Sequence, residues 1–291
     1  MKPKFYSFVL WIVLTFASLA QTVDTTYVEN YKEKITIIGF LSRNHISVAE
    51  DIKPNSPINF GIGFAFKNTL FKFSYKFPVV KMNEDKYGKT DITDIQIHNF
   101  GRHFLFDVFY QRYKGFYSEN NETKILPNMS VQKIGFGGNY LFNGDKFSAK
   151  AAFTHDEKQL QSVGGYVLGG GVYYYKIGLE SPEQPSFNNL LLELNAGYSY
   201  SLVLNNNWLI AGIATAGITL GNETEKLKNG KLKIYPTIFA RGAIGYHHSF
   251  WGIYFSFLLH NNSLQYSNNN KLNLTAIDMQ ISNVIRFNSF F

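Results

Sequence analysis

The feature that most restricts how this chain can fold is a strict two-residue alternation, clearest in "LLLELNAGYSYSLVLN". From Leu190 to Leu204 every even position is Leu, Ala or Tyr, while the odd ones include Glu193, Asn195, Gly197, Ser199 and Ser201. Successive strand side chains point to opposite faces, so this run is a strand with one apolar and one polar side. It is far longer than the ~5 or 6 residues of an ordinary soluble strand. It suits a tilted strand that crosses a bilayer in about 9 to 11 residues and projects beyond it.

The same period returns along the chain. Ile58, Phe60, Ile62, Phe64 and Phe66 share one face of "PINFGIGFAFK", and Phe71, Phe73, Tyr75 and Phe77 share one face of "LFKFSYKFP", with only Asn68 and its neighbours between them. These two runs form a tight hairpin. At the C-terminus, "AIDMQISNVIRFNSFF" places Ile277, Met279, Ile281, Ile285, Phe287 and Phe291 opposite Asp278, Gln280, Ser282, Arg286 and Asn288. Free C-termini of soluble domains are usually frayed and polar, and this one is neither.

Further runs cover 35–43, 92–99, 103–112, 131–142, 147–154, 164–179, 208–220, 231–246 and 250–260, which brings the total to thirteen. Single-chain bacterial barrels have even strand numbers, so one run is misassigned. Phases counted from the two ends disagree across 143–190, unless Ile35–Arg43 is the run that does not belong. Twelve strands are expected, with fourteen or ten as alternatives. Short connections fall at Asn68, 99–102, 143–145, 205–207 and His248, and longer polar ones at 44–56, 78–90, 113–129, 221–230 and 261–273. Short turns on one side and long loops on the other are the asymmetry of an outer-membrane barrel.

The first twenty residues, "MKPKFYSFVLWIVLTFASLA", combine a basic start at Lys2 and Lys4, an apolar run from Phe5 to Phe16, and small residues at Ser18 and Ala20. This is an export signal, cut before Gln21. The expected organisation is a signal peptide (1–20), an N-terminal periplasmic segment (21–34) and an outer-membrane barrel (35–291). No later segment approaches the ~18 unbroken apolar residues of a membrane helix. An exported chain without such helices can still span a membrane if its strands close on themselves.

An aromatic content of 17% exceeds the needs of a soluble core and suits a membrane interface. The chain has 0 Cys, which excludes a lipoprotein anchor, disulfides and thiol catalysis. Without Lys2 and Lys4 the 28 basic residues become 26 against 21 acidic, a net charge of +5. That mild excess points to a lipid or carbohydrate surface and away from nucleic acid. A soluble barrel or sandwich with its apolar side inward has the same periodicity. The export signal, loop asymmetry and aromatic C-terminus favour an all-β, antiparallel, up-and-down transmembrane β-barrel of the bacterial outer membrane.

The stretch "KYGKTDITDIQIHNFGRHFLFDVFYQRYKGFY", from Lys86 to Tyr117, resembles DUF4421, a family of Gram-negative outer-membrane proteins grouped as a domain of unknown function. The likeness rests on Tyr87-Gly88-Lys89-Thr90, on Gly101-Arg102 and on the block from Tyr110 to Tyr117. "DEKQLQSVGGYVLGGGVYY", from Asp156, is also similar, though it departs from the Ser-Phe expected near Tyr166. The resemblance covers most of the mature chain. It implies an outer-membrane barrel and carries no activity with it.

In "YQRYKGFY" a strand runs into a long loop. Tyr110, Arg112, Tyr113, Lys114 and Tyr117 are the candidate rim site, where cations can meet lipopolysaccharide phosphates or the rings can bind glycan; an aromatic girdle is the plainer reading. Lys67, Lys72, Lys76, Lys133, Lys150 and Arg241 fall on inward faces, with Glu193, Asp107 and Asp278 available to pair. An open bore lined this way would favour anions, and a filled one would hold a paired polar plug.

His247 and Ser249 share a strand face at the spacing of a lipid hydrolase, yet lack a third member and sit near a short turn. "HNNS" from His260 is a poorer version. His155-Asp156-Glu157 is ordinary loop chemistry rather than a metal site. The glycines of "LGGGVYY" serve close strand packing, a kink or a bulge. Phe287 and Phe291 are the expected recognition signal for the barrel insertion machinery. No catalytic residue, cofactor or metal is expected. The partners expected are outer-membrane lipid, lipopolysaccharide, the insertion machinery, and a surface glycan or envelope protein. A narrow anion channel is the alternative function, and a lipid hydrolase a remote one.

Overall fold

In the computed structural model, residues 23–287 are described apart from Lys34, Glu50, Lys67, Asn68, Lys81, Met82, Asn120, Asn121, 181–185 and 267–269. The expected export signal lies outside the described residues. The strands in chain order are β1 (Val28–Asn30), β2 (Ile35–Val48), β3 (Ile52–Lys53), β4 (Ile58–Phe66), β5 (Thr69–Val80), β6 (Asp91–Phe100), β7 (Phe104–Ser118), β8 (Lys124–Leu141), β9 (Glu157–Gln159), β10 (Val163–Gly178), β11 (Ser186–Leu204), β12 (Trp208–Glu223), β13 (Lys233–His247), β14 (Trp251–Tyr266) and β15 (Asn270–Phe287).

Twelve of these form a ring. With β1, β3 and β9 set aside, each strand is antiparallel to the next, and β15 returns to β2 with Phe287 opposite Ile35 and Leu274 opposite Val48. The ring is continuous, as a sheet buried in lipid requires, and its shortest seam is β5–β6, where only Thr69 to Lys72 pair with Asn99 to Gln96. The expected strand number therefore holds.

The misassigned run was 147–154. It contains a one-turn helix, Ala149–Phe153, whose start is capped by the Ser148 side chain accepting from the Ala151 amide. Phe147, Ala149, Ala151 and Phe153 imitate a two-residue period, but "AKAA" is strong helix sequence and Ser is a good N-cap. Residues 113–129, expected as a loop, are mostly strand, because β7 runs to Ser118 and β8 begins at Lys124.

The outward side chains line up in rows. Ile95, Tyr110, Ile134, Tyr174 and Leu190 lie side by side on β6, β7, β8, β10 and β11, and beneath them come Ile97, Val108, Phe136, Val172 and Leu192. Above is a polar row of Thr93, Arg112, Gln132, Lys176 and Asn188; at the other end Tyr166 and Tyr198 meet edge to face beside Phe142. Ten residues separate Gln132 from Phe142. At about 3.3 Å per residue and a tilt of roughly 40° they span about 25 Å, the height of an outer-membrane apolar band. Phe136 and Leu194, in mid-band, are 50% and 53% exposed, as a lipid-facing wall requires. Trp208, Tyr246 and Trp251 cluster at the short-turn end, in the manner of an interfacial girdle.

The C-terminal strand follows its expected phase. Met279, Ile281 and Ile285 face outward, while Gln280, Ser282 and Arg286 are buried inward. Inside the ring, one apolar cluster surrounds Phe100, Phe147, Phe153 and Leu209, and a second gathers Val48, Phe116, Ile177 and Leu264.

Candidate functional site

The bore holds the densest chemistry, and it is closed at both ends. At the short-turn end the chain between β8 and β10 turns inward. Its helix is buried through Ala149, Ala151, Ala152 and Phe153 and touches β6, β12 and β13, strands from nearly opposite sides of the ring. Glu157 anchors this plug: Arg102 donates to its two carboxylate oxygens at 2.7 and 2.6 Å, Lys150 lies at 3.1 Å, and the Ser148 hydroxyl donates at 2.6 Å. The N-terminal segment adds a strand, Val28 to Asn30 pairing with Gln159 to Glu157. Arg286 stacks over the Tyr31 ring at 3.9 Å and donates to the His155 carbonyl at 2.8 Å.

At the long-loop end the closure comes from the wall itself. The β13–β14 register ends at Ile238 and Asn261, while β14 and β15 stay paired out to Tyr266 and Asn270. The tip of that hairpin reaches β11, two strands beyond its ring neighbour β13. The Asn189 amide donates to the Gln265 carbonyl at 3.0 Å, and the Gln265 backbone donates to the Asn189 side-chain oxygen at 3.2 Å. Tyr235 and Lys233 both donate to the Gln265 side chain, at 2.7 and 2.9 Å. β3 adds a strap, pairing with β2 on one side and with Tyr117 and Ser118 of β7 on the other.

Between the closures lies a band of paired charge. Asp107 is held by His98 at 2.5 Å and by Arg241 at 2.8 Å. Glu193 accepts from His260 at 2.8 Å and from Asn195 at 2.6 Å, and Lys133 approaches the other His260 nitrogen at 3.3 Å. Asp94 receives hydrogen bonds from Asn44, Gln96, Gln111 and Tyr113. Buried charges persist when paired and hydrogen-bonded in this way. A cavity of about 70 Å³ opens among Asn44, Asp94, Gln96, Arg241 and Asp278. It has room for a few water molecules.

The structure divides the expected rim site. Tyr110, Arg112 and Lys114 face outward; Tyr113 is fully buried in the bore and Tyr117 is covered, its ring 4.7 Å from that of Tyr87. The sequence break is Gly115, where the β7–β8 register slips and φ is +87°. A Cβ there would sit 2.2 Å from the Lys89 carbonyl, so only glycine lets the two segments meet. Thr90 ties this contact down by donating to the Gly115 carbonyl at 2.7 Å and accepting from the Asn55 amide at 2.8 Å. The two halves of the family-like stretch thus pack on each other.

Of the inward cations, Arg241 and Lys133 are buried in the charge band, and Lys150 lies in the bore on the plug helix rather than on a wall strand. Lys67 and Phe291 lie outside the described residues, as do the side chains of Lys72 and Lys76. Phe287 is half-buried on the outward phase. His247 and Ser249 do not meet as a pair: His247 is buried against the hydroxyls of Tyr31 and Tyr254, and the Ser249 hydroxyl contacts His248 at 3.2 Å. His155 stacks on Tyr254, and Asp156 accepts from Thr154. Among the described residues no group of His, Asp and Glu is arranged to hold a metal. Sequence reasoning took Glu157 as loop chemistry and assigned Arg102 no site role; Ser148 and Lys150 beside a helix-forming stretch were the available signal.

A closed ring with an apolar belt and a filled bore defines a transmembrane β-barrel. The model of the family described as Domain of unknown function (DUF4421) matches residues 22–287, and the chain belongs to that family. No curated protein matches it. Solved structures that match include the outer-membrane expressed OmpT of Vibrio cholerae, at 9% identity over 87% of this chain and 97% of that one, with a TM-score of 0.30. The beta domain of the Bordetella autotransporter Brka matches at 10% identity over 90% and 100%, with a TM-score of 0.38. OprG from Pseudomonas aeruginosa matches at 10% over 89% and 99%, with a TM-score of 0.27. These scores are low, and the barrel assignment rests on the ring of registers.

Proposed function

We propose that the protein is a sealed, non-catalytic barrel of the bacterial outer membrane that acts through its surface, as a structural or binding barrel whose long-loop end contacts glycan, lipopolysaccharide or a partner protein. One observation carries this reading: the bore is closed at both ends, and Arg241, Lys150 and Lys133 are engaged with neighbours inside it. A lining of engaged cations offers a passing anion no free site. Phe287 and Phe291 serve as the assembly signal read by the insertion machinery.

Single-channel recording of the folded protein in a planar bilayer tests the reading. The expected trace is silent, after a heat-sensitive shift in gel mobility has shown that the barrel is folded. Discrete, anion-biased steps would overturn it in favour of a narrow channel.

A further inference from the structure

On the outer wall, one stretch of the belt's upper edge is cationic. The registers set Arg112, Gln132 and Lys176 side by side on β7, β8 and β10, and Lys114 stands two residues above Arg112 on the same face. Arg112, Lys114 and Lys176 are all exposed. Among the described residues, no carboxylate lies within ion-pair distance of any of the three. Asp91, opposite Lys114 on β6, is approached instead by Lys89 at 3.7 Å. Directly beneath the row stand Tyr110, Ile134 and Tyr174, the first apolar row of the belt. The cations therefore sit at the depth where a lipid's headgroup meets its acyl chains.

We propose that this row docks the phosphorylated sugar headgroup of an outer-leaflet lipid of the lipopolysaccharide kind, with Arg112 and Lys176 each taking phosphate and Gln132 hydrogen-bonding the sugar between them. Two inter-strand steps of about 4.8 Å place the two cationic positions about 10 Å apart, a spacing that holds one headgroup at two points. Arg supplies a planar fork for phosphate oxygens, Lys a mobile point charge, and both have stems long enough to lie along an apolar wall. The proposal rests on the outer-membrane reading above and adds to it a ligand class and the residues that hold it.

The test is native mass spectrometry of the folded barrel in non-ionic detergent, titrated with diphosphorylated lipid A, with the same lipid stripped of phosphate, and with inorganic phosphate as competitor. Each of Arg112→Gln and Lys176→Gln should weaken retention of the diphosphorylated lipid about tenfold, and the pair about a hundredfold, at 1.4 kcal/mol per tenfold. Lys228→Gln, on an exposed loop helix, should leave it unchanged. Equal retention of the stripped lipid, an unaltered double variant, or an equal loss with Lys228→Gln would overturn the proposal. So would abolition of binding by millimolar inorganic phosphate, which would identify a free-anion site. All variants keep their outward positions and are checked for folding by gel mobility. A barrel that conducts yet retains the lipid sinks the sealed-bore reading and leaves this one standing.

Discussion

At the short-turn end the bore is closed by Glu157, gripped by Arg102, Lys150 and Ser148 on a segment that enters the ring from outside the wall. At the long-loop end it is closed by Gln265 and Asn189, two amides carried by strands that are themselves the wall. The first closure is an insert, which can leave without unpairing any ring strand. The second is an overhang, which can loosen but has nowhere else to go. Charge suits the insert because a buried ion pair resists partial opening, and amides suit the overhang because each bond can be given up singly.

The largest effect should follow removal of the insert's anchor. In Glu157→Ala, Arg102 and Lys150 lose the carboxylate they share, a loss on the order of 3 to 5 kcal/mol in local stability. Hydrogen exchange over 143–162 should rise steeply while the hairpin tip stays protected, and planar-bilayer traces should remain silent because the second closure is intact. Loss of protection at both ends together would show that the closures are one unit and dissolve the contrast.

A smaller change is expected at the overhang. Gln265→Ala deprives Tyr235 and Lys233 of their acceptor. That costs about 1 to 3 kcal/mol. Exchange should quicken at 262–266 and 270–274 and leave the plug unaltered. An unchanged hairpin would mean that Leu264 and its apolar neighbours hold the tip without the amide.

The smallest effect separates the two ends by pH. Burial pushes the Asp156 carboxyl up to about 6, against the pull of the Thr154 hydroxyl and of Lys150, with Glu157 adding to the rise. Its folded value lies above the unfolded one, so its stabilising contribution is complete below about pH 4 and is lost as pH rises through 6. After correction for intrinsic rates, plug amides should be better protected at pH 5 than at pH 7.5. Asp156→Asn should flatten the difference, and the amide closure around Gln265 should show none from this source. A wild-type plug indifferent to pH across that window would remove Asp156 from the account.

Much of the wall could be read in the sequence because lipid and bore impose opposite demands on alternate residues. Leu190 to Leu204 and Ile277 to Phe287 obey that rule, and their phases hold. The plug escaped because Phe147, Ala149, Ala151 and Phe153 satisfy the strand period while folding as a helix inside another element's space. Grouping Tyr113 with Arg112 and Lys114 at the rim ignored that same period, which sends Tyr113 inward. The Glu157 cluster was hidden for a different reason: Arg102 and Glu157 are far apart along the chain, and only the inward turn of the segment between β8 and β10 brings them together. The overhang was illegible because a strand that outruns its neighbour looks like any other strand.

The pairing of Phe287 with Ile35 joins the last strand to the first. The wall therefore cannot be completed until β15 has been made and has found β2. Every shorter product carries two bare strand edges that lipid cannot satisfy. A copy that stops short of β15 therefore lacks the strand that closes the ring onto β2.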